Sequence, residues 1–242
     1  MSSSANHVTH DIYHHERHGR WANGQARAAV FGMSDGLVSN LSLVAGVAGA
    51  SAVRTQVLIG GVAGLVGGAV SMAIGEYVSV AANRELFERE LAVERREIES
   101  DPVGETRELA GIYVGRGMDQ ALAMSVAEQV MADPDKALEA HARDELGLNP
   151  KDLGSPVGAA LASFGAFAVG AAIPLIPWFA VAGTAAIVIS LVLGVAAAAG
   201  LGGGLARLTR RSVWKGIGRQ VGLLLLAFVV TSLIGRMVGS AI

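Results

Sequence analysis

Five long apolar runs constrain this chain before any single residue does. They lie at about 27–50, 56–81, 156–178, 180–206 and 216–240 and are built from Ala, Val, Leu, Ile and Gly. Each exceeds the roughly 18 residues that mark a membrane span rather than a buried helix of a soluble core. The 32 glycines do not oppose this reading, because glycine is common in membrane helices. The sequence predicts an all-α membrane protein of five transmembrane helices, with a helical insert between the second and third. The expected division is a His-rich segment 1–26, spans one and two in 27–81, the insert in 82–152, and spans three to five in 153–242.

Charge is distributed as unevenly as hydropathy. The net charge is −2, yet residues 82–152 hold 17 of the 21 acids and only 9 of the 19 bases. The stretch NRELFERELAVERREIES has neither Gly nor Pro, so it reads as the second span continuing out into water until Asp101-Pro102 ends it. Further helices are expected over 103–116, over 118–132 and from Asp133-Pro134 to a C-cap at Gly147. Arg207, Arg210, Arg211 and Lys215 fall between spans four and five. The opposite side carries only Arg54 in its loops, plus Arg236 near the end of the last span. The positive-inside rule then makes the N-terminus and insert cytoplasmic and the C-terminus external. The polar start is not a cleavable signal peptide. Arg outnumbers Lys 16 to 3, a usage that goes with GC-rich bacterial genomes, so a bacterial cell membrane is the expected location.

Against that apolar background two acids stand out inside the spans, Asp35 and Glu76. A charge at the bilayer centre costs about 2.5–3.5 kcal/mol on insertion scales, so such an acid is a functional candidate by default. A short turn makes the first two spans antiparallel, and counting at 1.5 Å per residue puts both acids roughly 10 Å from one membrane face. Met33 precedes Asp35 by two residues, and Met72 precedes Glu76 by one helical turn. Two hard oxygens and a soft thioether at one depth suit a borderline divalent transition metal. The insert adds Glu94-x-x-Glu97, Glu105-x-x-Glu108 and His141-x-x-x-Glu145, each pair on one helix face. Converging, they would offer carboxylate and imidazole ligands for Fe²⁺, Mn²⁺ or Zn²⁺; apart, they are an ordinary solvated face. His7, His10, His14, His15 and His18 form either a polar tail or a metal-collecting one.

Other chemistries are not encoded. With no Cys there is no thiolate site or iron–sulfur cluster, and no Walker loop serves ATP-driven pumping. A Glu-x-x-His pair on two helices, the di-iron signature, is absent, which weighs against an iron-oxidising enzyme. No Ser/His/Asp arrangement is placed for catalysis, and no basic aromatic face suits nucleic acid. What remains is a metal transporter or, alternatively, a metal-sensing membrane scaffold without transport.

The segments SDGLVSNLSLVAGVAGA, SMAIGEYVSVAANRE, the Glu-rich insert ending in DELGL, and AAIPLIPW resemble, in order, those of the vacuolar iron transporter family. The resemblance covers residues 14–242. It implies a homodimer of five-span subunits that exports Fe²⁺ and/or Mn²⁺ from the cytosol against protons, with no prosthetic group; Zn²⁺ and Co²⁺ are further possible cargo. It implies a transport path through Asp35 and Met72, to which the intramembrane acid Glu76 is added here. It also implies a cytoplasmic metal site of Glu94, Glu97, Glu105, Glu108 and Glu145. The sequence departs from plant members at four places. Ala28 and Gly64 stand where those have acids, Glu76 where they have Gly, and His141 where they have a Met ligand.

Overall fold

The structure is a computed structural model that describes residues 24–51, 53–150 and 153–241. The five N-terminal histidines lie outside the described residues. Nine helices and no strand are found among those described. They are α1 (Gly24–Ala50), α2 (Arg54–Ser100), α3 (Pro102–Gly115), α4 (Gln120–Met131), α5 (Pro134–Asp144), α6 (Pro156–Leu175), α7 (Pro177–Ala180), α8 (Gly183–Leu208) and α9 (Val213–Ala241). Five of them, α1, α2, α6, α8 and α9, are long and apolar enough to cross a membrane. The chain forms two compact units, residues 1–78 with 155–242, and residues 79–154. Each is described by itself.

In the first unit α1 is the hub, packed against α6, α9 and α8. Small residues make this possible. A Cβ on Gly32 would come to 2.7 Å from the Ser163 carbonyl, and one on Gly36 would overlap the Phe167 carbonyl. From the other side, Gly170 of α6 sits on the Met33 carbonyl. Backbones in such contact gain dispersion that larger side chains would forbid, and this replaces the hydrophobic drive that lipid cannot supply. Gly46 with Gly235 joins α1 to α9, and Gly202 with Gly216 joins α8 to α9, in the same way. Three apolar clusters fill the remaining space, around Val44, Val57, Leu175 and Trp178, around Leu37, Leu41, Ala198 and Leu224, and around Ala69, Phe167 and Ala171.

Pro174 stays inside α6, and the break falls at Pro177, which starts α7. The third span is therefore shorter than 156–178. Arg54 donates to the Trp178 carbonyl at 2.7 Å and to that of Phe179, placing a cation where the C-terminal carbonyls of α7 are unpaired. The outer faces are apolar: Ile59 is 66% exposed, Leu161 66% and Leu226 62%. Surfaces of this extent have no place in water and suit lipid.

The second unit comprises the end of α2 with α3, α4 and α5. Each of the three short helices begins at an Asp that accepts hydrogen bonds from its first turn. Asp101 accepts from the Gly104 N–H at 2.9 Å, Asp119 from Ala121 at 2.9 Å, and Asp133 from Asp135 at 3.2 Å. Two of these helices carry Pro at the first position, where its missing N–H is harmless. The core is small: Leu109, Ala110, Ala123 and Ala127. Arg116 pairs with Asp144 and so ties α3 to α5. Gly147, at φ +66°, turns the chain after α5 in the left-handed conformation that glycine tolerates best.

Candidate functional site

The second unit gathers acids around one histidine. His141 projects from α5 between buried Ala137 and Ala142 and is itself fully buried. Its Nδ1 lies 3.0 Å from Oε1 of Glu94, 3.3 Å from Oε2 of Glu145 and 3.6 Å from Oε2 of Glu105. Glu94 comes from the part of α2 that belongs to the second unit and is 3% exposed. Glu105 stands in the first turn of α3, where the Asp101 cap fixes it. Ligand atoms of Glu94, Glu105 and His141 all fall within 4.8 Å of one another.

One ring nitrogen carries at most one proton, so three carboxylates compete for a single donor. The Nε2 of the same ring is buried without a hydrogen-bond partner. The cost of this crowding is visible in the acids. The Glu94 carboxyl is pushed up to about 7, first by burial and then by the charge of Glu145, against an opposing pull from His141. Burial raises Glu105 as well, with Glu108, Glu97 and Glu145 adding to it. A divalent cation among these atoms would replace both the missing protons and the lost hydration. Hard oxygens with one imidazole suit Fe²⁺, Mn²⁺ and Zn²⁺.

Glu94, Glu105, His141 and Glu145 are thus brought together. Glu97 and Glu108 remain exposed and act on the others through charge.

The first unit holds a separate cavity of about 370 Å³ between α1, α2 and α6. Asp35, Ser39 and Asn40 line it from α1, Ser71 and Met72 from α2, and Phe167 from α6. Asp35 and Met72 therefore share one space, and Asp35 has no ion-pair partner among the described residues. Glu76 is half-buried one turn beyond Met72 and is not among the lining residues; neither is Met33. Gly64 and Gly68 leave room for the lining. A Cβ on Gly64 would meet Leu43 at 2.6 Å and the Asn40 Oδ1 at 3.1 Å, and one on Gly68 would strike the Phe167 ring.

Asn40, Ser39 and Ser71 escape a search for charged and sulfur ligands. Asn40 is 2% exposed, and its Nδ2–H donates to the Ala171 carbonyl at 2.6 Å. That bond fixes the amide plane and leaves Oδ1 buried without a partner. The available signal is the pair Asp35 and Ser39, one turn apart on one face of an otherwise apolar helix, with the amide of Asn40 next to it.

Comparisons with known proteins identify the family. Residues 26–236 match the VIT family. The chain is 42% identical over 153 residues to a vacuolar iron transporter of Acanthamoeba castellanii, a match covering 63% of this chain and 55% of that protein. It is 32% identical over 173 residues to vacuolar iron transporter 1 of Oryza sativa subsp. japonica, covering 71% and 68% respectively. Vacuolar iron transporter 1 of Arabidopsis thaliana is 32% identical over 167 residues, covering 69% and 66%. The chain thus spans little more than half of the Acanthamoeba protein and about two thirds of the two plant proteins. With five membrane-crossing helices in place and the family pattern running through nearly all of its described length, this chain is an integral membrane protein of the VIT family.

Proposed function

We propose that this chain carries divalent iron, and manganese with it, across a membrane as a proton-coupled exporter from the cytosol. The observation that carries the reading is the cavity shared by Asp35 and Met72 in the membrane unit. A carboxylate without a counter-charge and a thioether on facing helices form a weak, mixed site, and a transported ion must be held loosely enough to leave. Protonation of Asp35 or Glu76 releases the ion on the far side and couples the return step. The insert, with Glu94, Glu105, His141 and Glu145 as ligands and Glu97 and Glu108 at its edge, raises the local concentration of the ion. The names of the relatives support iron as cargo. The working unit is a homodimer in a bacterial cell membrane, with the N-terminus and insert cytoplasmic.

Metal flux into sealed liposomes tests this directly. Under an imposed pH gradient, Fe²⁺ and Mn²⁺ enter vesicles that contain the protein and not empty ones, and Zn²⁺ and Co²⁺ set the selectivity. Metal binding without flux of any ion replaces the transporter by the metal-sensing scaffold.

A further inference from the structure

We propose that the turn between α8 and α9 is a binding site for the headgroup of an anionic phospholipid, with an acyl chain of the same lipid in the adjoining groove. Residues 153–242 contain no Asp or Glu, yet they contain six cations. Five of these, Arg207, Arg210, Arg211, Lys215 and Arg219, fall within thirteen residues. All five are exposed, and none has an ion-pair partner among the described residues. Arg211, Lys215 and Arg219 recur every four residues, the spacing that stacks side chains on one helix face. They line a single cavity of about 790 Å³ together with the hydroxyl-bearing Thr209 and Ser212.

The turn itself is built to hold this shape. Arg210 takes φ +51°, a left-handed conformation unfavourable for a side chain of its size, and the Arg211 N–H returns to the Ala206 carbonyl at 2.8 Å. Gly202 and Gly216 bring α8 and α9 into backbone contact just behind it. Thr209 spends its proton on the Leu205 carbonyl at 2.9 Å, which leaves its oxygen as an acceptor only. Three cations held at one mouth repel one another, and nothing in this half of the sequence neutralises them. An external phosphate does so, and the guanidinium fork suits it.

A second cavity distinguishes a lipid from a free anion. It measures about 540 Å³, shares Leu205 and Thr209 with the basic one, and is lined mainly by apolar side chains, among them Val30, Phe31, Leu201 and Leu208, with Arg27, Ser34 and Gln220 as its further polar members. A charged mouth that opens onto an apolar groove fits an amphiphile. Trp214, 82% exposed and beside Lys215, is placed as an interfacial aromatic. Neither cavity is lined by any residue of the metal sites named above.

The test uses the full chain in phosphatidylcholine vesicles that contain rising fractions of phosphatidylglycerol, with either lipid brominated on its acyl chains. Quenching of Trp214 is read as the difference between wild type and Trp214→Phe. The expected result is a relative association constant for phosphatidylglycerol about tenfold or more above that for phosphatidylcholine, falling toward unity in high salt. The triple variant Arg211→Gln, Lys215→Gln, Arg219→Gln loses the preference. Arg211→Lys with Arg219→Lys largely keeps it, and so does Arg236→Gln. Equal quenching by the two lipids in wild type overturns the proposal, as does an unchanged preference in the triple variant. Loss of the preference on adding millimolar inorganic phosphate assigns the site to a free anion instead.

Discussion

Residues 82–152 hold 17 of the chain's acids, and the ninety residues after them hold none. In the insert, carboxylates stand beside one another around His141, and burial with mutual repulsion lifts Glu94 to about 7. In the membrane unit, Asp35 is the single acid lining its cavity and has uncharged neighbours: Ser39, Asn40, Ser71 and Met72. The contrast follows from the medium. Near water a crowd of like charges costs little until a few of them are buried, and the cost then appears as a shifted titration. Among hydrocarbon-facing helices one carboxylate is already expensive, so a second must be kept apart or neutralised. On the proposed reading the crowd captures the ion and the lone acid passes it on.

The largest effect that can break this comparison is expected at Asp35. Asp35→Ala reduces liposome flux to the level of empty vesicles, while the protein still elutes as the folded species, because Asp35 makes no ion pair among the described residues whose loss would unfold it. Flux at wild-type rate in this variant removes the membrane cavity from the path. Replacing Glu94, Glu97, Glu105 and Glu108 together by Gln acts differently. Transport at scarce metal falls by about tenfold, and transport at saturating metal stays near normal, if the insert only enriches the ion as proposed. Equal losses at both concentrations give the insert a part in translocation itself.

The smallest effect concerns pH. Glu94 sits at about 7 in the fold against an ordinary value of 4.5, so between these limits the folded chain holds a proton that the unfolded chain has lost. Its contribution therefore favours the fold at the acidic end and is lost as pH rises through 7. Without metal, the unfolding transition of the insert shifts down by about 5 °C or more between roughly pH 5 and pH 8. If Mn²⁺ binds the ionised carboxylates as proposed, adding it offsets the loss at the alkaline end and does little at the acidic end. Glu94→Gln flattens the metal-free dependence. Thermal unfolding of the full chain at the two pH values, with and without Mn²⁺, reads all of this, and an unchanged slope in the variant removes Glu94 as its source.

Much of this was legible residue by residue. Spans announce themselves by length, and the three Asp caps with their following Pro residues or turns mark the insert helices to within a few positions. The long helix Arg54–Ser100 is foreseen because nothing between residues 76 and 100 can stop it. The break after α6 was less legible. Both Pro174 and Pro177 are candidates for it, and only the packed structure keeps the first inside the helix.

Site residues divided along the same line. Asp35 and Met72 stand out because a carboxylate and a thioether on neighbouring spans are chemically conspicuous. Asn40 does not, since an amide in a span is usually a packing residue; its free Oδ1 emerges only once Ala171 is seen to take the other half of the side chain. Glu76 shows the converse. Counting residues puts it one turn from Met72 on the same side of α2, yet the lining of the cavity from α2 ends at Met72.

The sequence alone determined that this chain has five helices long and apolar enough to cross a membrane, that one acidic helical segment interrupts them, and which acids fall inside those apolar runs. These properties depend on composition and period along one chain, which local physics reads directly. Only the tertiary structure decided that Glu94, Glu105 and Glu145 converge on one nitrogen of a buried His141 while Glu97 and Glu108 stay outside. The i, i+3 and i, i+4 spacings place both members of a pair on one helix face but say nothing of how three helices are rotated about their own axes. That rotation is set by the burial of Leu109, Ala123 and Ala127 and by the Arg116–Asp144 tie, contacts between residues far apart in the chain.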